Sequence, residues 1–559
     1  MRTLIRSVCL SLFAATAALP ISLGAVSQAA AQGNMQVEPA IVISLANVEE
    51  QNADVRHLLK AAGMAGFGDW AVGMTSQYTE YVDTEKPMGG YVILDGFQPM
   101  GVGFVPVKDL DALLKMLSND LGEIEEGDDG MRIVSMPDGQ EAFIKESGGY
   151  AFISDNVDNL SDLPDNPSAM LDGLNDEYNL AIRVYAQRLP QQMKEMAKGY
   201  IEEGFMQAIE QMEDADPGAA AMQRQMNEAT LQSVFEMIDQ TDELTVGLAI
   251  DEDSESTYID VTMTGLPDSK MAKQIAASGD VTTRFAGFFR DSAAASVHMS
   301  SKLTDEDEES IENMLAQVRE QVMSQIDSNA PDPMAKDAAK DVTNQLFDVL
   351  GATLKEGIID GGVALVLDED TTAMAAGMAV KEGNKIADIA KQLVDFAKAD
   401  APPEVKFNLN AETYNGVDMH VITVPVPEDE EDLRSAVGET MDIVLGTSED
   451  AFYFAGGKNS ISLLKECMDA SKQASPNDLP SSQFFISLGK VLSFANSMQD
   501  DPILSILADS VEGSEHDKFK VTSRIVKNGA QTRIEFEDDI IKLIGNAGMQ
   551  LGAGGAPPF

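Results

Sequence analysis

Met131-Arg132-Ile133-Val134-Ser135-Met136-Pro137 and Met419-His420-Val421-Ile422-Thr423-Val424-Pro425 agree position for position in residue type. Each reads as a short apolar strand stopped by proline, which donates no ladder hydrogen bond. Upstream, Gly89-Gly90-Tyr91-Val92-Ile93-Leu94-Asp95 resembles Gly361-Gly362-Val363-Ala364-Leu365-Val366-Leu367-Asp368. A second strand follows from Met100 or Met374, containing Gly103 or Gly377, and runs into a helix over 110–117 or 386–396. Downstream, Gly149-Tyr150-Ala151-Phe152-Ile153 pairs with Asp450-Ala451-Phe452-Tyr453-Phe454, and Leu180-Ala181-Ile182 with Phe484-Phe485-Ile486. Both copies close on a hairpin, in which Leu244, Val246, Leu248 and Ile250, or Phe519, Val521 and Ile525, alternate with polar or small residues. Alternation with period two marks strands that bury one face. Seven matched segments in one order predict an internal duplication.

The copies also begin alike, at Ala40-Ile41-Val42-Ile43-Ser44 and Ser296-Val297-His298-Met299-Ser300. The predicted units are 35–278 and 284–545, meeting near Arg284–Phe289, with a disordered Gly/Ala/Pro tail over 546–559. Helical insertions are expected to distinguish the copies. In the first, Met193, Met196, Tyr200, Phe205, Ala208, Ile209 and Met212 recur at helical spacing. Met222, Met226, Val234, Met237 and Ile238 do so again after Asp216-Pro217-Gly218. In the second, the stripes Ile311, Leu315, Val318, Val322, Ile326 and Leu346, Val349, Leu350, Leu354 flank Asn329–Pro333. The fold class is therefore α+β: two tandem copies of a layered unit, each an antiparallel sheet with helices packed on one face.

The chain has 559 residues, and 93 Asp and Glu against 39 Lys and Arg leave a formal charge of −54. Such acidity repels nucleic acid, while the hydrophobic fraction of 44% is far too high for a disordered chain. Residues 1–31 read as a secretory signal peptide, with Arg2 and Arg6, an apolar run from about Val8 to Val26, and Ala29-Ala30-Ala31 before Gln32. Cys9 lies inside that apolar run without a lipoprotein context, so cleavage leaves Cys467 as the lone cysteine. No later run is long and apolar enough for a second span, so no transmembrane segment is expected after cleavage. The expected location is periplasmic or extracellular.

Little in the sequence points to bond-making chemistry. His57, His298, His420 and His516 are scattered, without partners at metal-ligand spacing, and His420 takes the slot of Arg132 as an exposed strand position. No metal and no cofactor is expected. Acidic runs at Glu123–Gly130, Asp251–Asp253, Asp305–Glu309 and Glu428–Asp432 read as solvated loops, with weak divalent-cation binding as the alternative. Nucleophile-elbow, phosphate-loop and dinucleotide motifs are missing. Cys467 sits on an apolar helix face and reads as a buried small hydrophobe. Methionine adapts to irregular apolar ligands, so Met193, Met196, Tyr200, Met212, Met222, Met226 and Met237 are candidate lining for an apolar groove, with core filling as the alternative.

The signal peptide, the duplicated strand–helix units, the acidity and the Gly-Ala-Pro end together resemble a group of exported proteins from planctomycete-type aquatic bacteria to which no activity is assigned. The resemblance implies export. Three roles stay open: a non-enzymatic binding or scaffolding module with a protein partner, a carrier of lipid or another apolar ligand, and a carboxylate-using hydrolase. The missing catalytic motifs and the duplication favour the first, with the carrier as the alternative and the hydrolase as the second alternative. Self-repulsion at this net charge is relieved by salt, whose screening length falls to about 3 Å at 1 M. The melting temperature should therefore climb as NaCl is raised, and a flat or falling series in thermal melts would contradict adaptation to a saline exterior.

Overall fold

The structure is a computed structural model that describes residues 38–552, apart from 77, 119–120, 137–138, 214–230, 280, 330–332, 369, 399–400, 475–478, 499–500 and 512. The expected signal peptide therefore lies outside the described residues. Two compact units divide the chain, residues 1–269 with 544–559 and residues 270–543. Both are α+β.

In the first unit the described strands are β1 (Ile41–Leu45), β2 (Met88–Asp95), β3 (Gln98–Pro106), β4 (Ile124–Glu126), β5 (Arg132–Ser135), β6 (Glu141–Ser147), β7 (Tyr150–Ser154), β8 (Leu180–Tyr185), β9 (Thr241–Asp251) and β10 (Ser256–Gly265). They pair antiparallel in the order β4-β5-β6-β7-β3-β2-β1-β8-β9-β10. Helices α1 (Val48–Ala61) and α2 (Ala65–Thr75) follow β1. Helix α3 (Leu110–Leu117) follows β3, and α4 (Gln191–Glu213) and α5 (231–240) follow β8. Alternation splits the core in two. Val42, Tyr91, Phe104 and Phe152 pack with Leu160, Leu171 and Tyr178. Ile144 and Ile153 pack with Leu113, Leu114 and Leu117 of α3.

The second unit contains helix α6 (Lys270–Ser278) and strands β11 (Ala295–Lys302), β12 (Ile358–Leu367), β13 (Thr372–Ala379), β14 (Lys406–Tyr414), β15 (Val417–Pro425), β16 (Thr440–Thr447), β17 (Ala451–Lys458), β18 (Ser482–Ser487), β19 (Lys518–Val526) and β20 (Gly529–Glu537). Their order is β14-β15-β16-β17-β13-β12-β11-β18-β19-β20, the order of the first unit strand for strand. Helices α7 (Asp305–Asn329) and α8 (Pro333–Leu354) follow β11, and α9 (Gly383–Ala397) follows β13. Then come α10 (Glu431–Val437), α11 (Ser460–Gln473), the pair α12 (Leu488–Met498) and α13 (Pro502–Ser510) after β18, and α14 (Asp538–Gly552), whose residues from Ile544 onward count with the first unit. The insertions expected to distinguish the copies thus fall at the same two points in both units, after the first and eighth strands, and differ in length.

Glycines set the packing of the second sheet. Gly362 and Gly377 lie opposite each other on β12 and β13. A Cβ on Gly377 would stand 2.7 Å from Phe285 Cδ1, and one on Gly362 would stand 2.8 Å from Phe288 Cβ. The two rings, with centroids 6.0 Å apart, occupy the slot that the missing side chains leave. Ala364, Ala375, Val444 and Ala455 extend this face beneath Leu463, Leu464 and Cys467 of α11. The opposite face carries α7 and α8, so helices flank both faces of this sheet.

Four expectations need correction. The division between the units falls between residues 269 and 270, earlier than Arg284–Phe289, whose Phe285 and Phe288 lie in the core of the second unit as its expected bounds require. Helix α14 continues to Gly552, well into the stretch expected to be a tail, whereas 553–559 lie outside the described residues. His420 is buried, because a bulge between Asn408 and Glu412 turns the backbone of Asn410 over it and the Asn410 N–H donates to Nδ1 at 3.1 Å. Lastly, counting back from Asp95 and Asp368 pairs Gly89 with Gly362 and Gly103 with Ala376. The expected matches Gly103–Gly377 and Met100–Met374 are one residue out of step, and in a strand such a slip moves a side chain to the other face.

The glycine slot makes a direct prediction. Gly377→Val should cost about 1–3 kcal/mol through overpacking against the two rings, and adding Phe285→Leu should recover part of that loss. Equal melting temperatures for native protein and Gly377→Val would contradict the packing.

Candidate functional site

On the face away from Phe285 and Phe288, β11 presents Val297 and Met299, β12 presents Gly361 and Val363, β13 presents Ala376 and Met378, and β17 presents Phe452 and Phe454. These residues share a face because Val297 pairs with Val363, Val363 with Ala376, and Ala376 with Phe454. Across from them stand Ile311 and Leu315 of α7 and Leu350 and Leu354 of α8. The helices do not close onto the sheet. Between the two layers lies a cavity of about 530 Å³ with an almost wholly apolar lining. The cavity is half open to solvent, with Met299 and Met378 of its floor more than a third exposed, and its volume falls among those of ligand sites, which run from roughly 300 to 1,000 Å³. Two small residues, Gly361 and Ala376, are part of the floor.

Polar contacts join the two helices and fix the base of the pair. Arg319 on α7 donates from Nε to Asn344 Oδ1 at 3.0 Å and from Nη1 to Asp348 Oδ1 at 3.1 Å, both on α8. Near the end of α8 the Thr353 hydroxyl donates to the Val349 carbonyl at 2.8 Å and accepts the Lys381 N–H at 2.8 Å. At the entry to β12, the Leu303 N–H donates to the Gly357 carbonyl at 2.8 Å. The hairpin is therefore tied to itself and, at its base, to the sheet. Its apolar stripe is left facing the void, with Leu346 and Leu350 still more than a third exposed.

His298 and Asp360 are also buried on β11 and β12, but their side chains point to the opposite face. The His298 ring meets Phe289 edge-on at 5.7 Å, and neither ring nitrogen has a hydrogen-bond partner. Burial lowers its pKa, against an opposing pull from Asp360. Asp360 Oδ2 accepts the Arg284 N–H at 2.9 Å. The sheet thus separates the cavity from these titratable groups.

Of the expected groove residues, Met193 is half-buried, and Met196, Tyr200 and Met237 are exposed. Met212 lies on α4, and Met222 and Met226 lie outside the described residues. The apolar cavity described above is instead in the second unit, on stripes the sequence already displays at Ile311–Leu315 and Leu350–Leu354. Cys467 is fully buried, and its thiol is pushed up to about 11, chiefly by burial. The acidic runs fall largely at turns and helix starts, as where Asp251 accepts the N–H groups of Asp253 and Ser254 in the β9–β10 turn. Among the described residues no group of three or more His, Cys, Asp or Glu is placed to hold a metal, and no helix is long and apolar enough to cross a membrane. No family model, curated protein or solved structure matches the chain.

Sequence reading did not single out Asp54 on α1. It accepts a hydrogen bond from the Asn179 amide, and the Asn179 side-chain oxygen accepts the Ile250 N–H at 2.6 Å, so the carboxyl pins α1 to the turn before β8 and to β9. Burial, then the charge of Glu50, push Asp54 up to about 6. An acid raised in the folded state favours folding while protonated, and that contribution is lost as pH rises through about 4–6. Asp54→Asn should therefore gain on the native protein across that window, reaching about 2–4 °C above pH 6.5. A difference in melting temperature that does not vary with pH would contradict the role of this carboxyl.

Proposed function

We propose that the protein is an exported carrier that holds an apolar ligand, the acyl chain of a lipid, between the sheet and the α7–α8 pair of its second unit. The cavity is the observation that carries this reading, because a lining of Gly, Ala, Val, Leu, Met and Phe recognises little besides hydrocarbon. Methylene groups entering such a site gain about 0.8 kcal/mol each on leaving water. The lining supplies no nucleophile or free carboxyl aimed at a ligand: the Thr353 hydroxyl is already bonded at both ends, and His298 and Asp360 turn away. That favours holding a ligand over transforming one. We further propose that the two units descend from one by duplication, which the shared order of ten strands supports.

Organic extraction of the purified full-length protein, followed by mass spectrometry, should release lipid in stoichiometric amount. The stripped protein should bind a fluorescent fatty acid such as cis-parinaric acid, and Ala376→Phe, which fills the floor, should weaken binding by about tenfold or more, the equivalent of 1.4 kcal/mol. Empty extracts together with probe binding indifferent to Ala376→Phe would overturn the proposal.

A further inference from the structure

Helix α2 in the first unit presents an apolar edge that the fold leaves uncovered. Met64, Phe67 and Trp70, spaced by three residues, are 39%, 47% and 42% exposed, and the Phe67 and Trp70 rings lie 5.0 Å apart. Isolated exposed hydrophobics are ordinary, whereas a close aromatic pair in line with methionine marks a contact surface. The helix is poorly made for standing in water. Its sequence, Ala-Gly-Phe-Gly-Asp-Trp-Ala-Val-Gly-Met-Thr, contains three glycines, each costing roughly 1 kcal/mol of helix propensity relative to alanine, and only Gly68 and Val72 are buried.

Charge and shape narrow the partner. No lysine or arginine occurs between Lys60 and Lys86, and the single charge on the helix, Asp69, already faces Arg56 at 3.7 Å. A chain of formal charge −54 is repelled by anionic membranes and by acidic proteins. The edge is also open: a Cβ on Gly66 or Gly73 would meet nothing within 4 Å, so there is no groove for a complementary side chain. Specific protein interfaces surround an apolar centre with a polar rim that makes about one hydrogen bond per 100–200 Å². On α2 itself the one charged side chain is Asp69, and the Thr75 hydroxyl is already engaged with Asn52 and the Val72 carbonyl. Tryptophan and phenylalanine on an edge whose one ion pair, Asp69 with Arg56, leaves no net charge instead suit the boundary between headgroups and acyl chains, where an indole keeps its polar end wet.

We propose that α2 docks the protein on a zwitterionic lipid surface by inserting Met64, Phe67 and Trp70 to interfacial depth. The inference goes beyond the cavity, which lies in the other unit, and stands without it. Trp70 is the only tryptophan in the chain, so it reports directly on the event. With phosphatidylcholine vesicles its emission should shift to the blue and be quenched by brominated acyl chains, and the protein should float with the vesicles. Phe67→Ser/Trp70→Ser should lower co-flotation by about tenfold, in line with the apolar area withdrawn from the interface. The same variant should keep the circular dichroism and melting temperature of the native protein, which shows it folded. Ala376→Phe should leave the Trp70 shift intact, so failure of the cavity and failure of the docking surface give different results. Unchanged Trp70 emission, undiminished flotation of the double variant, or binding that strengthens as phosphatidylglycerol is added would each overturn the proposal. Capture on vesicles only through another protein would overturn it as well.

Discussion

The pleat of an antiparallel sheet sends successive side chains to opposite faces, and the second unit uses that alternation to separate a packed side from a hollow one. On one face Gly362 and Gly377 admit the Phe285 and Phe288 rings to near backbone contact. That contact fixes the register of β12 against β13, because a slip of one residue would set Val363 and Ala376 beneath the rings. The same register fixes the other face, where Gly361 and Ala376 form a low floor beneath Leu315 and Leu350. The cavity is thus a consequence of the core. Neither could be re-registered without the other.

Much of this plan was legible in the sequence, since strand alternation and proline stops are local signals. Two matched prolines, at Pro137 and Pro425, located the same strand in each unit, and the α3 and α9 positions followed from their apolar spacing. The errors arose where two local readings compete. Gly-Gly pairs at 89–90 and 361–362 look equivalent, yet Asp95 and Asp368 align the strands differently, and only the pairing partners show which glycine faces the core. His420 looked exposed because a bulge in the neighbouring strand has no signature strong enough to show which residue it will cover.

The site was legible in part. The stripes on α7 and α8 announce that Ile311, Leu315, Leu350 and Leu354 face something apolar, but periodicity does not encode the distance to that surface. Contact and void have the same pattern. Methionine chemistry suits an apolar site, yet Met196 and Met237 are exposed, and the described cavity is lined instead by residues such as Gly361, Ala376, Leu315 and Leu350. Asp54 was hidden for a related reason: in a chain with 93 acids, only burial and the Asn179 contact set it apart.

The most direct measurement is a crystal structure of the protein soaked with a brominated fatty acid, read by anomalous scattering. The account predicts bromine density between Ala376 and Leu350, with Phe285 and Phe288 undisturbed on the far side of the sheet. Leu350 found seated on Ala376, with no space between helices and sheet and the bromine elsewhere, would contradict it.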